Sequence, residues 1–386
     1  MSGFEIKGWC PSALRPMLSG DGLVVRLRPR GGRLSSEQAA GIAELSARHG
    51  NGLIDLTGRA NLQIRGVREQ SHEPLIDGLG RLGLVDAVPY AETQRNVLVS
   101  PFWNDGDDVP SLAAELEEAL AKRPLGLPEK FGFAVDCGKS RVLAQSPADI
   151  RIERGQDDGL IVRADGAPGG RIVARAGAIE AVLSLAERFV ASGGVKNGRG
   201  RMAAHLAAAG FAETLAGYSR PAPTAPLPAP GVHEGGALLG LAFGQLRSGT
   251  LAFLATLARG LRVTPWRMVF LEGLGELPSH QGLVTHAHDP TLRVIACTGA
   301  PVCPEARAET RTLAAALAPH IPEGTRLHVS GCAKGCAHPG AVPITLVGTA
   351  QGFDLVRDGS ARDVPVMRGL NRESILADPC VLTGAR

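Results

Sequence analysis

Four cysteines in two pairs constrain this chain more than any other feature. Cys297-Thr-Gly-Ala-Pro-Val-Cys303 is followed, twenty-eight residues later, by Cys332-Ala-Lys-Gly-Cys336. Thiolates grouped in this way hold a soft metal. Structural zinc favours pairs with two to four residues between ligands, and the first pair here has five. Glycine and proline fill both loops, as Gly299, Pro301, Pro304, Gly331, Gly335 and Pro339. Such residues let the backbone turn tightly and approach a bulky inorganic centre. The ligand set fits a four-cysteine iron–sulfur cluster, with structural zinc or free thiols as the alternatives. Cys10, Cys137 and Cys380 follow no pairing pattern and read as structural or incidental.

Composition sets the outer bounds. A chain of 386 residues suggests two or three domains, and 44% hydrophobic residues can bury a full core. A net charge of +3 gives no case for general nucleic-acid binding. The first residues contain no apolar signal region, and no run of eighteen apolar residues occurs, so no membrane span is expected. An odd number of cysteines, seven, without a signal peptide argues for reduced thiols and a cytoplasmic protein.

The chain opens with a strand at Leu23–Arg28 and a helix from the capping-box candidate Ser35-x-x-Gln38 to about His49, where Gly50 is the expected C′ residue. Strands Leu53–Leu56 and Leu62–Arg65 follow. The middle reads as mixed α/β. Ser111 is the expected cap of one helix, Phe131–Val135 a strand, and Ala178–Ala191 a helix by its apolar spacing. Residues 219–231 carry five prolines and form a stiff, extended linker. The opening pattern then returns, with a strand at Leu238–Phe243, a helix at Gly249–Ala258 closed by Gly260, and a strand at Arg267–Leu271. Thr57…Gly66-Val67 matches Thr264…Gly273-Leu274 in spacing. This degenerate repeat implies two related half-modules about a pseudo-twofold axis. In the last region the expected order is strand Leu292–Ala296, helix Pro304–Leu317, strand Arg326–Ser330, then strands Pro343–Val347 and Phe353–Val356.

Arginine is the second signal. Arg26, Arg28 and Arg30 alternate near the end of one strand, and Arg59, Asn61, Gln63 and Arg65 share a parity on another. Alternate strand residues share a face. Two such rows side by side suit a polyanionic ligand, because a guanidinium grips carboxylates through a planar fork. Lys139, Arg141 and the run Lys196–Arg201 read individually as solvated loop charges. His286-Ala287-His288-Asp289 and His338 contain the residue types of a mononuclear iron site, but nothing in the sequence fixes their geometry. No Walker loop, dinucleotide fingerprint or serine elbow appears.

The pattern Cys297-x5-Cys303…Cys332-x3-Cys336 resembles the sulfite and nitrite reductase superfamily, as do Arg59-Ala-Asn-Leu-Gln63, Arg95-Asn96-Val97 and Leu127-Pro-Glu-Lys-Phe131. The resemblance implies an α+β fold: two ferredoxin-like half-modules related by a pseudo-twofold, with mixed α/β reductase-type domains. The expected boundaries are 1–75 and 232–287 for the half-modules, 76–218 for the first α/β domain, 219–231 for the linker and 288–386 for the cluster domain. It also implies a 4Fe-4S cluster on Cys297, Cys303, Cys332 and Cys336, with the residue matching Cys336 bridging to sirohaem iron. Side chains matching Arg28, Arg59, Arg95 and Lys130 would meet macrocycle carboxylates or a bound anion.

The sequence also departs from the reductase pattern. Gly132 stands where a second lysine is usual, and Gly58-Arg59-Ala60-Asn61 replaces Thr-Arg-Gln-Asn. Cys10-Pro11, Arg15-Pro-Met17, Gly20–Pro29 and the cysteine stretch together are more similar to the precorrin-3B synthase family, a branch of that superfamily. Membership implies dioxygen-dependent conversion of precorrin-3A to precorrin-3B by C20 hydroxylation and γ-lactone formation. It implies a 4Fe-4S cluster, a mononuclear non-haem iron and an electron donor such as an NADH-linked reductase or ferredoxin. A sirohaem sulfite or nitrite reductase is the alternative. Arg28, Arg95 and Lys130 are the expected catalytic cations. Arg26, Arg28, Arg59, Asn61, Gln63, Arg65, Arg95, Asn96 and Lys130 are the expected substrate-binding set.

Overall fold

Two short strands change places between the halves of this protein. The computed structural model describes residues 11–86, 88–209 and 218–384, so Cys10 and the segment before it lie outside the described residues. In the first half, strands Gly22–Leu27, Leu62–Val67 and Leu53–Leu56 lie side by side in one sheet. The second half repeats them as Gly236–Leu241, Met268–Glu272 and Gly260–Val263. Each sheet is completed by the other half. Arg33–Ser35 pairs with Gly260–Val263, and Gln245–Arg247 pairs with Leu53–Leu56. Leu34 and Leu246 thereby enter one core shared by both halves, 1% and 4% exposed. Helix Ser36–His49 packs on helix Ser248–Leu257 at its centre. The pseudo-twofold expected from the Thr57/Thr264 repeat is the organising symmetry of the molecule.

Local chemistry explains the first helix. The Ser35 hydroxyl accepts from the Gln38 N–H, and the Gln38 side chain accepts from the Ser35 N–H, a complete capping box. Gly50 follows the helix but with φ −113°, so it is not the left-handed residue expected there. Its glycine is required by proximity instead, since a Cβ would stand 2.5 Å from the Arg65 carbonyl oxygen. Gly260 likewise opens the strand Gly260–Val263 rather than closing a helix.

The middle region forms a six-stranded sheet with its own core around Phe131, Phe133 and Phe189. Its helix Asp108–Lys122 begins before Ser111, whose hydroxyl donates to the Asp108 carbonyl instead of capping; Asp107 occupies the cap position. Arg141 is half-buried, pairs with Glu153 and bonds the Ala222 carbonyl and the Thr224 hydroxyl, so it fastens the proline-rich segment and is not a freely solvated charge. The last region is a sheet in the order Val294–Ala296, Leu327–Ser330, Val342–Thr349, Gly352–Gly359, Met367–Leu370, the first three parallel. The helix expected from Pro304 starts only at Arg311, because residues 304–310 are taken up by turns beside the cysteines. Among the described residues no helix is long and apolar enough to cross a membrane.

The strand exchange predicts a measurable cost. Leu34→Ala should destabilise the whole two-half body by about 2–5 kcal/mol, the usual range for a buried leucine truncation. Urea unfolding should show one transition moving to lower denaturant, not a separate early loss of either half.

Candidate active site

The first half's sheet has one apolar and one polar face. Val25, Ile64, Ile54 and Leu246 point into the shared core. On the opposite face Arg26, Gln63, Asp55 and Gln245 stand in register across four strands. Gln245 donates to Asp55 at 2.9 Å, and Arg311 of the cysteine-bearing last region donates to the same carboxylate oxygen at 3.0 Å. Arg26 is half-buried, and its Nε is buried with no hydrogen-bond partner. The twofold-related face is different. Leu238, Met268 and Phe270 are covered there by Phe102, Trp266 and Leu292. Arg262 lies over the Trp103 ring at 3.3 Å and is tied to Glu272 and to two carbonyls. Of the two related faces, only the first presents a polar row.

The expected cations divide by partner. Arg95 forks onto Asp86 at 2.7 and 3.3 Å and donates to the Arg28 carbonyl at 2.8 Å. Arg28 is 6% exposed and faces Glu92 at 3.4 Å. Arg65 forks onto Asp21 at 2.8 and 3.2 Å and also reaches the Ser19 hydroxyl. These three build the walls. Arg59, on the hairpin tip Thr57–Asn61, donates to the Lys130 carbonyl at 2.9 Å, and the Lys130 side chain is exposed. Asn61 is buried at the base of that tip, where its N–H donates to the Thr57 hydroxyl. Asn96 donates to the Phe131 carbonyl at 3.1 Å. A Cβ on Gly132 would come within 2.9 Å of Asn96 Nδ2 and 3.4 Å of Arg59 Nη1. A side chain there would push the Asn96 amide aside and crowd the Asn96 carbonyl oxygen, 3.2 Å away.

The cysteine loops leave the same ends of two adjacent parallel strands. Cys297 follows Val294–Ala296, and Gly331-Cys332 follow Leu327–Ser330. The Gly331 N–H donates to Cys297 Sγ at 3.2 Å, and the Thr310 hydroxyl to the Cys297 carbonyl at 2.7 Å. Gly299 has φ +71°, and a Cβ there would meet Thr310 Oγ1 at 2.5 Å. Burial pushes the Cys332 and Cys336 thiols up, and the other thiols nearby push the same way. A positive soft centre reverses both effects by stabilising thiolates. Among the described residues no three His, Cys, Asp or Glu side chains converge on one ion. A cluster has a different requirement, because it brings its own sulfides and holds its thiolates apart. The four soft donors on glycine-lined loops fit that group. His286, His288 and Asp289 fit a mononuclear iron poorly, since the Asp289 carboxylate accepts from the Thr291 N–H and both histidines are exposed.

The structure adds residues the sequence did not mark. Arg267 sits on the twofold-related hairpin tip and donates to the Ala337 carbonyl at 2.9 Å, next to Cys336. Its position is the repeat equivalent of Ala60, which the Thr57/Thr264 spacing could have revealed. His328 is fully buried, with both ring nitrogens unpartnered, and its ring lies 6.1 Å from that of His338. Burial first, then His338 and Arg267, lower its pKa to about 4.

Residues 15–82 match the family described as the nitrite/sulfite reductase ferredoxin-like half domain. The chain is 32% identical to a precorrin-3B synthase of Sinorhizobium sp, over 93% of this chain and 84% of that protein. It is 27% identical to a ferredoxin–nitrite reductase of Synechococcus elongatus, over 40% of this chain and 32% of that one. The solved structure of Mycobacterium tuberculosis NirA protein shares the fold at a TM-score of 0.62 and 17% identity, covering 92% of this chain and 79% of that one.

His328 provides a pH test. Its folded pKa lies below its unfolded value of about 6.5, so its neutral form contributes stability above that value that is lost as pH falls toward about 4. His328→Leu should therefore lose less thermal stability than the parent between those pH values. Parallel melting curves at pH 7, 5.5 and 4.5 check this, and identical acid slopes would contradict it.

Proposed function

Since the chain belongs to the precorrin-3B synthase family, we propose that it oxidises precorrin-3A to precorrin-3B with dioxygen, hydroxylating C20 and closing the γ-lactone. The enzyme is an oxidoreductase, and its monooxygenase character is part of this proposal. One oxygen atom enters the macrocycle. The other leaves as water, with protons and electrons from an external donor.

The polar row Arg26–Gln63–Asp55–Gln245, beside the Cys297 loop, carries this reading. A sheet face of this kind does not suit an apolar core. It does suit the acetate and propionate rim of a tetrapyrrole, because Arg26 keeps a buried, unpartnered N–H to offer. Gln63, next to it, adds amide donors. Arg59 fixes the Lys130 turn through its carbonyl, leaving the ammonium to meet an anionic group. Arg28, Arg65 and Arg95, each paired with a carboxylate, hold the walls rigid. Rigid holding of the rim directs the oxidant to one meso carbon. Cys297, Cys303, Cys332 and Cys336 would hold a 4Fe-4S cluster, which supplies electrons one at a time when bound.

The nitrite reductase relatives keep a second reading in view, a sirohaem reductase. Intense sirohaem absorption in freshly purified protein would favour it over the synthase.

Aerobic incubation with precorrin-3A and a reductant should yield product one oxygen atom heavier; no turnover by cluster-loaded protein would sink the proposal. Arg26→Gln should weaken substrate binding about tenfold or more, the value of a charge-assisted hydrogen bond of about 1.5–3 kcal/mol. Fluorescence titration with precorrin-3A reads this directly. Cys336→Ser should lose iron and labile sulfide, and an unchanged iron content would contradict the ligand assignment.

A further inference from the structure

Arg267 lies on the hairpin tip Thr264–Met268, the counterpart of the tip that carries Arg59. The two tips meet, with a Cβ on Gly58 falling 3.9 Å from the Pro265 carbonyl. Arg59 reaches from this meeting point to the Lys130 turn, and Arg267 reaches to the Ala337 carbonyl in the second cysteine loop. Arg267 adopts φ +61°, a left-handed conformation that is strained for a non-glycine residue. Its aliphatic stem packs against Gly244, where a Cβ would stand 2.8 Å from Arg267 Cγ. A buried charge is normally paired with an opposite one. Arg267 has no ion-pair partner among the described residues. Arg311, Asp55, Arg326, Cys297, His328 and His338 are the charged or titratable groups around it; burial holds both histidines toward the neutral form, and the one carboxylate, Asp55, is already shared by Arg311 and Gln245. This corner of the protein therefore holds an excess of positive charge beside Cys297.

On the reading that these cysteines hold an iron–sulfur cluster, we propose that Arg267 is the positioning residue that balances the cluster's negative charge. It would favour the reduced cluster, and it would tie the second cysteine loop to the hairpin tips that border the substrate face. Thiolate-bound clusters are anionic and gain negative charge with each electron taken up. A desolvated guanidinium held close by stabilises the reduced form and raises the midpoint potential.

The test is a reductive titration of as-isolated protein with dithionite, followed by electron paramagnetic resonance and needing no substrate. Arg267→Gln and Arg267→Lys carry the same backbone penalty and differ in charge. The Gln variant should titrate at a lower midpoint potential than wild type, or lose the cluster; Lys should keep the cluster and restore most of the midpoint. Arg368→Gln, on the exposed edge strand, should titrate as wild type. A Gln variant with full iron and sulfide at the wild-type midpoint would overturn the proposal. So would loss of the cluster from Gln and Lys alike, since charge would then not be what matters. Wild-type protein devoid of iron and sulfide would sink the cluster reading itself, and this proposal with it.

Discussion

The mutual exchange of Arg33–Ser35 and Gln245–Arg247 is the constraint on which the other features rest. A small open sheet leaves an edge strand with unpaired N–H and C=O groups. Here each half supplies an edge strand to the other, and the two helices close one core between them. The orientation of one half relative to the other is then fixed by backbone hydrogen bonds. That fixed orientation brings the tips Thr57–Asn61 and Thr264–Met268 together and sends Arg59 and Arg267 in different directions, one to the Lys130 turn and one to the cysteine loop.

Symmetry of backbone has not kept symmetry of chemistry. Residues 55, 63 and 245 are Asp, Gln and Gln; their counterparts 262, 270 and 33 are Arg, Phe and Arg. On the second face Phe270 draws in Phe102 and Trp266, and Arg262 and Arg33 share Glu272, so every charge there has a local answer. On the first face the Arg26 Nε has no partner among the described residues. A desolvated donor without a partner costs about 1–3 kcal/mol. Folding alone would not maintain it, whereas an arriving carboxylate turns the cost into binding energy.

Much of this was legible in the residues. The cysteine spacing, the Ser35 capping box, the Thr57/Thr264 repeat and the parity of Gln63 and Arg65 are local patterns, and the strand register bears out that Arg26 and Gln63 face one another. Sequence does not name the partner of a charge. Arg28, Arg65 and Arg95 look the same as Arg26 in the chain, yet each meets a carboxylate, at a sequence distance from 9 residues for Arg95 and Asp86 to 64 for Arg28 and Glu92. Helix Glu69–Arg81 went unread because Pro74 interrupts its pattern, and the strand at Gly260 was hidden by a glycine that reads as a stop. The late start of helix Arg311–Leu317 reflects tertiary demand: Arg307 N–H bonds the Gly331 carbonyl, and this pins the turns around the cysteines.

The arginines therefore fall into two physical classes. Those answered by a carboxylate of the same chain are scaffold, however close they stand to a substrate. Among the described residues neither the Arg26 Nε on the sheet face nor the Arg267 guanidinium near Cys297 meets a carboxylate, and on the proposed reading each would receive its counter-charge from a bound group. Arg26 stands two strands from Asp55, and Arg267 lies near the same Asp55–Arg311 ion pair, which joins the sheet to the cysteine-bearing last region. A carboxylate-rich macrocycle would answer the first, and a thiolate-bound cluster the second.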